Sequence, residues 1–319
     1  MTNEEFQSSQ NFEENLKEWN LLSLEGMGES VKEGSLYVIG NGFDMLHGVR
    51  SSYYDFSRTL GKRSSVRFYL EKYLKTDDLW ADFEGALGKI NIEAMCQPYI
   101  IDNFLDINGA YDEDAGAAEI YMSAEMAVEP ILSMSTELMD RFRKWICSLH
   151  TNTDDRPLSD IIKDGKVLNF NYTEFVEDLY GMDAGNICYI HGCRKKTGKE
   201  RQRLILGHIP GANDAAYEFE DDYSAIDNLD EHAQLLYDVQ QIALQMVVEA
   251  DDTLTKKCKE IIQSNQPFFD GLADIRQIVT IGHSLYPVDW DYFAEIIKCN
   301  KDRKRMQWFF GCYGNGDLE

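Results

Sequence analysis

The chain lacks what a membrane span, a disulfide scaffold or a zinc module would need. No window of its 319 residues approaches 18 uninterrupted apolar positions, so no transmembrane helix is expected. Its seven cysteines, Cys96, Cys147, Cys188, Cys193, Cys258, Cys299 and Cys312, are odd in number and irregular in spacing. With no C-x-x-C pair among them, neither a four-cysteine zinc module nor a disulfide framework is expected. Basic residues are scarce: 31 Lys and Arg stand against 56 Asp and Glu, a net charge of −25. Such a surface repels phosphate backbones and anionic lipid, so neither nucleic acid nor a membrane is an expected partner. The polar, acidic start (Glu4, Glu5, Glu13, Glu14) is no signal peptide, and a reduced cytoplasmic protein is expected. There is no G-x-S-x-G elbow for a serine hydrolase and no H-E-x-x-H for a metal site. Internal repeats and low-complexity stretches are also missing.

What is present is enough apolar residue, 44% of the chain with 12% aromatic, for a sizeable core. Residues 1–34 are polar, carry Gly26, Gly28 and Gly34, and read as a helix plus linker. Six short apolar runs read as buried strands: Leu36–Ile39, Val167–Phe170, Ile187–Ile190, Leu204–Leu206, Ile278–Ile281 and Gln307–Phe310. Near-continuous hydrophobicity in short runs suits a mostly parallel sheet covered on both faces, hence a doubly wound α/β fold. Helix-like spacing over Tyr54–Leu74, Met134–Leu149, His232–Val248 and Leu254–Phe269 fills the long gaps. The organisation expected is one α/β domain over 35–319 with two helical insertions, at about 60–165 and 212–275. No Lys or Arg occurs from Ile90 to Asp140, nor from Gly211 to Ala233. These tracts are either solvated faces or docking surfaces for a basic partner. A basic cluster, Arg194, Lys195, Lys196, Lys199, Arg201 and Arg203, reads as an exposed hairpin tip.

The segment Leu36-Tyr-Val-Ile-Gly-Asn-Gly-Phe-Asp-Met-Leu-His-Gly48 carries the first functional signal. A buried strand that runs into Gly40-Asn41-Gly42 and then a helix can leave backbone N–H groups bare for a phosphate. Phe43, Asp44 and Gly48 follow the turn, Asp44 as a helix cap or a holder of a ribose hydroxyl. Asn169 and Asn171 fall on one side of the next strand's end, where ligands bind in parallel sheets. Asn171 either bonds a ligand or water, or helps Thr173 cap the following helix. His191, before Gly192 at a third strand's end, is a candidate base because imidazole titrates near neutrality. Gly282, His283 and Ser284 repeat the theme of strand, glycine and polar residue, with Ser284 or Asp289 also available as a helix cap. His208 sits beside the Pro210-Gly211 turn signal.

Taken together and in order, these motifs resemble the AbiH family, the bacteriophage abortive-infection group. They are Ile39-Gly-Asn-Gly-Phe-Asp44 with His47-Gly48, Asn169-Phe-Asn-Tyr-Thr173, Tyr189-Ile-His-Gly192, Leu206-Gly-His208 and Ile281-Gly-His-Ser-Leu285 with Val288-Asp289. Trp80-Ala-Asp-Phe-Glu84 also fits. The resemblance implies a bacterial defence protein. A more distant similarity is to sirtuin-like NAD-binding domains, a Rossmann variant. Gly40, Gly42 and Gly48 match their glycine pattern, Asn171 their Asn, His191-Gly192 their base, and Gly282-His-Ser-Leu285 their adenosine-side turn. Thr173 stands where those domains carry Asp, and their zinc module is absent. That similarity implies NAD as substrate, cleaved at the nicotinamide–ribose bond, with Gly40, Asn41 and Gly42 at the pyrophosphate, Asn171 positioning water or ribose, and His191 as base. No metal is expected. Two other readings stay open: a non-catalytic nucleotide or phage-signal sensor, and a metal-independent nuclease pairing His191 with His208 or His283. A homo-oligomer is compatible with each.

Overall fold

The computed structural model describes residues 21–23, 34–91, 94–95, 117–151, 154–159, 161–162, 164–195, 203–213 and 231–311. Residues 92–93 and 96–116 of the first acidic tract, 214–230 of the second, and Lys196, Lys199 and Arg201 of the basic cluster lie outside these residues, whereas 117–140 of the first tract belong to the helix Ala117–Ser148.

Six strands form one all-parallel sheet: β1 (Leu21–Ser23), β2 (Ser35–Ile39), β3 (Gly165–Asn169), β4 (Ile187–Tyr189), β5 (Gln277–Ile281) and β6 (Gln307–Gly311). Their order is β1-β6-β5-β2-β3-β4. β2 and β5 are buried along their whole length, which explains their mostly apolar sequences. From β2 the chain winds outward through β3 to β4, then returns to β5 on the other side of β2 and continues to β6. The reversal between β2 and β5 is a topological switch point, where ligands bind in open α/β sheets. The fold is doubly wound α/β, as expected.

The register aligns the strand ends. Ile39 lies opposite both Asn169 and Ile281, and Asn169 lies opposite Tyr189. The residues just past these ends, Gly40, Asn171, His191 and Gly282–His283, therefore share one edge of the sheet. A core on one face, with Leu36, Val38, Leu168, Phe170, Ile278 and Trp308, packs against Tyr292, Phe293 and Ile296 of the helix Trp290–Cys299.

Two differences from the sequence reading have plain causes. Leu21–Ser23, within the stretch expected to be helix and linker, pairs in parallel with the edge strand β6. A three-residue strand is too short to show periodicity. Leu204–Leu206 is buried but forms no strand. The Ile205 N–H donates to the His191 carbonyl, and its carbonyl accepts from the Tyr172 hydroxyl. Irregular backbone satisfied in this way can be as buried as a strand. Two expected helices are each split, one at Gly61 (φ +75°) and one before Pro267, which opens a new helix.

The chain divides into two compact units. The first, Met1–Phe56, Arg143–Ile205 and Lys257–Glu319, holds the sheet. The second, Ser57–Phe142 and Leu206–Lys256, includes the helices Ser65–Tyr73 and Phe83–Leu87 and the helix Glu231–Asp252. Its interior contains a polar clasp. Lys256, wholly buried, donates to Glu84 at 2.8 Å. His208 meets the Ile209 carbonyl through Nδ1 at 2.8 Å and Asp251 through Nε2 at 3.0 Å. Asn213 donates to Asp251 and to the Leu87 carbonyl, and accepts from the Ile90 N–H. Among the described residues no helix is long and apolar enough to cross a membrane.

Candidate functional site

The turn after β2 is held by the turn after β5. The Gly40 N–H donates to the Ile281 carbonyl at 3.0 Å, and the Gly42 N–H to the Gly282 carbonyl at 2.8 Å. The Phe43 N–H donates back to the Gly40 carbonyl. A Cβ on Gly40 would lie 2.5 Å from the Gly282 oxygen, one on Gly42 2.6 Å from the Gly282 Cα, and one on Gly282 2.3 Å from the Phe43 nitrogen. Only glycine permits so close a backbone crossing. The physical reason for these three glycines is therefore the crossing of two turns. The N–H groups assigned to a phosphate by the sequence reading are, at Gly40, Gly42 and Phe43, engaged within the protein. Gly48, at φ +73° with open space around it, ends the six-residue helix Asn41–Leu46. Asn41 is half-buried and Ser284 exposed.

Beneath the crossing lies a buried carboxyl, Asp44, 2% exposed. Its Oδ1 accepts from Asn171 Nδ2 at 2.8 Å and its Oδ2 from Thr173 Oγ1 at 2.6 Å. Asn171 Nδ2 also donates to the Gly40 carbonyl, and Asn169 Oδ1 accepts the Asn171 N–H. Burial pushes the Asp44 carboxyl up to about 7, against the lowering effect of the Thr173 and Asn171 bonds. A carboxyl so tuned exchanges its proton at neutral pH. Neither capping alternative holds: Asp44 makes no cap bond, and the helix Phe175–Tyr180 begins after Glu174 with no side-chain cap.

A second group gathers two histidines on one carboxylate. His191, 3% exposed, places Nε2 3.5 Å from Asp289 Oδ1. His283 places Nε2 3.4 Å from Asp289 Oδ2. Asp289 stands at the N-cap of the helix Trp290–Cys299 yet makes no cap bond, because its carboxylate faces the imidazoles. The Phe170 ring meets His191 and His283 edge-on at 5.2 and 4.2 Å, and Tyr292 flanks His191 at 5.7 Å. The Leu285 N–H donates to His283 Nδ1 at 2.9 Å. Leu285 is the only described non-glycine residue with positive φ, +56°, a conformation that costs of order 1 kcal/mol or more and concentrates at functional sites.

The remaining candidates are structural. His47 Nδ1 donates to the Phe43 carbonyl at 2.7 Å, and its Nε2 faces the Tyr180 hydroxyl at 2.8 Å. That hydroxyl also accepts from the Leu158 N–H. His208 belongs to the second unit and its clasp with Asp251. Arg194, expected on an exposed hairpin tip, is largely buried: it pairs with Glu174 at 2.9 Å, donates to the Ile146 and Leu149 carbonyls and lies over the Phe175 ring. Lys195 is the exposed member and pairs with Glu177. Burial pushes the Cys193 thiol up to about 11 and that of Cys188 to about 12, so neither is a thiolate nucleophile at neutral pH. Among the described residues no group of three or more His, Cys, Asp or Glu side chains is arranged to hold a metal.

Sequence reasoning named Asn171, His191, His283 and Asp44, and these do converge on one edge. It treated Asp289 only as a cap and passed over Phe170 and Tyr292. The signal for Asp289 was present in the Val288-Asp289 pair of the family motif, but a carboxylate before a helix reads first as a cap. No curated protein and no solved structure matches the chain. A family model described as "Bacteriophage abortive infection AbiH" matches residues 36–311, and the chain belongs to that family.

Proposed function

We propose that this abortive-infection protein binds a nucleotide, NAD foremost, at the carboxyl edge of its sheet and hydrolyses the nicotinamide–ribose bond. One observation carries the reading: at the switch point, buried acid–base groups that follow three strands, β2, β4 and β5, line one edge of the sheet, one of them a carboxyl tuned to about 7. In the reaction the C–N bond breaks, nicotinamide leaves with the electron pair, and water adds to the oxocarbenium-like ribose carbon. His191 accepts the proton of that water, and Asn171 orients it. Asp44, when ionised, offsets positive charge developing on the ribose. Because the Gly40, Gly42 and Phe43 N–H groups are engaged within the protein, the pyrophosphate falls to the outer side of the turns, at Asn41 and Ser284. The test is depletion of NAD by the purified protein, with and without phage-infected extract. His191→Ala is expected to abolish depletion while leaving the melting temperature within a few degrees. Undiminished depletion by that variant removes His191 from the reaction.

A second reading, a sensor that binds without turnover, is favoured by one fact. Both Asn171 amide contacts, to Gly40 and Asp44, are made inside the protein. Calorimetry that records nucleotide binding while chromatography records no product would select it.

A further inference from the structure

Two imidazoles face one carboxylate through the same ring nitrogen, and the backbone decides the protonation of one of them. The Leu285 N–H donates to His283 Nδ1, so that nitrogen holds a lone pair and the neutral ring carries its proton on Nε2. Nε2 is the atom that faces Asp289 Oδ2. The other carboxylate oxygen, Oδ1, faces His191 Nε2. An ionised carboxylate is acceptor-only, so it also draws the His191 proton to Nε2.

We propose that Asp289 is the positioning residue of this site: it holds His191 and His283 by their Nε2 atoms and so makes Nδ1 of His191 the proton-accepting atom. His283 serves as the rear anchor, keyed by the Leu285 N–H. Phe170, edge-on to both rings, and Tyr292, flanking His191, pack the two imidazoles beside their shared carboxylate. The 3.4–3.5 Å separations are longer than hydrogen bonds, as acid–base contacts often are before substrate binds. The role of Nδ1 rests on the hydrolase reading; the tautomers do not.

Asn in place of Asp289 makes a sharp test, because an amide presents one acceptor and one donor. His283 cannot move its proton, since Leu285 occupies its Nδ1. The amide oxygen must therefore serve His283, which leaves the amide N–H pointing at His191 Nε2 and drives the His191 proton to Nδ1. An Asp-to-Asn change beside a catalytic imidazole acts by selecting the wrong tautomer in this way.

Long-range proton–nitrogen correlation spectra of the full chain read each imidazole's tautomer, with peaks assigned through His191→Gln and His283→Gln. Wild type at pH 8 is expected to show both rings as the Nε2–H form. In Asp289→Asn, His191 is expected to invert to Nδ1–H while His283 stays unchanged, and NAD turnover to fall about 100-fold or more. Wild-type His191 protonated on Nδ1 overturns the proposal, and that result needs no variant to fold. A folded Asp289→Asn protein with an unchanged His191 tautomer overturns it too, and inversion with undiminished turnover removes Nδ1 as the accepting atom. The spectra require no substrate, so an absence of NAD cleavage in wild type counts against the hydrolase and leaves the positioning assignment to the tautomers.

Discussion

Two buried clusters pair histidine with aspartate in this chain, and they are built differently. In the helical unit, His208 meets its partners at 2.8 and 3.0 Å, and Lys256 meets Glu84 at 2.8 Å. Asn213 closes the ring through Asp251 and the backbone. At the sheet edge, His191 and His283 stand 3.5 and 3.4 Å from one shared Asp289, beside a strained Leu285 and a carboxyl lifted to about 7. The first cluster is tight, paired and anchored to backbone, which is how buried charge is made tolerable. The second is loose and poised. A family motif is thus no sign of chemistry by itself: Glu84 and His208 pair within a helical unit, while His191 and His283 stand at the carboxyl edge of the sheet.

The largest effect expected from this contrast is on stability. Lys256→Ala strips Glu84 of its buried cation and should cost about 3–5 kcal/mol, read by urea unfolding. Replacing both, as Lys256→Met with Glu84→Gln, should recover most of that loss. A cost below about 1 kcal/mol for the single change would mean the clasp does not stabilise the helical unit.

The next effect separates the two clusters by pH. Asp44 keeps its proton in the folded state up to about 7, whereas an unfolded aspartate releases it near 3.8. Between these values the folded state binds more protons, so the Asp44 contribution to stability is full below the lower value and lost as pH rises through the window. At roughly 1.4 kcal/mol per unit, the loss is on the order of 4 kcal/mol by pH 8. Asp44→Asn, which cannot ionise, should therefore gain on wild type as pH climbs from 4 to 8 in a series of melts. A pH-independent difference would refute the raised carboxyl.

The smallest is local. Thr173→Val removes the 2.6 Å bond to Asp44 and should destabilise the protein by about 1.5–3 kcal/mol at pH 8, where the carboxyl is ionised, and less at pH 5. The same change should lift the Asp44 titration further, visible in carboxyl carbon shifts.

Thr173 also shows how far the sequence could be read. It departs from the sirtuin-like pattern, in which that position is an aspartate, and on sequence alone it weakens the site. In the fold its hydroxyl donates to the Asp44 carboxyl, which another element supplies. The strands β2 to β6 were legible because buried parallel strands are continuous apolar runs, and the edge residues because a strand's end precedes a glycine or a polar residue. The short β1 was not, since three residues carry no period. Nor was the burial of Arg194, whose partners Glu174, Ile146 and Leu149 are distant in sequence.

Local pattern alone therefore determined the class of fold, the order of the strands along the chain and the small set of residues from which a site could be drawn. Apolar period and glycine placement are properties of neighbours in sequence. The engagement of the glycine N–H groups by the opposite turn, the lift of Asp44 and the sharing of Asp289 by two imidazoles were decided only in three dimensions. Each depends on burial and on contacts between residues far apart in the chain, separated by 127 positions in the case of Asn171 and Asp44.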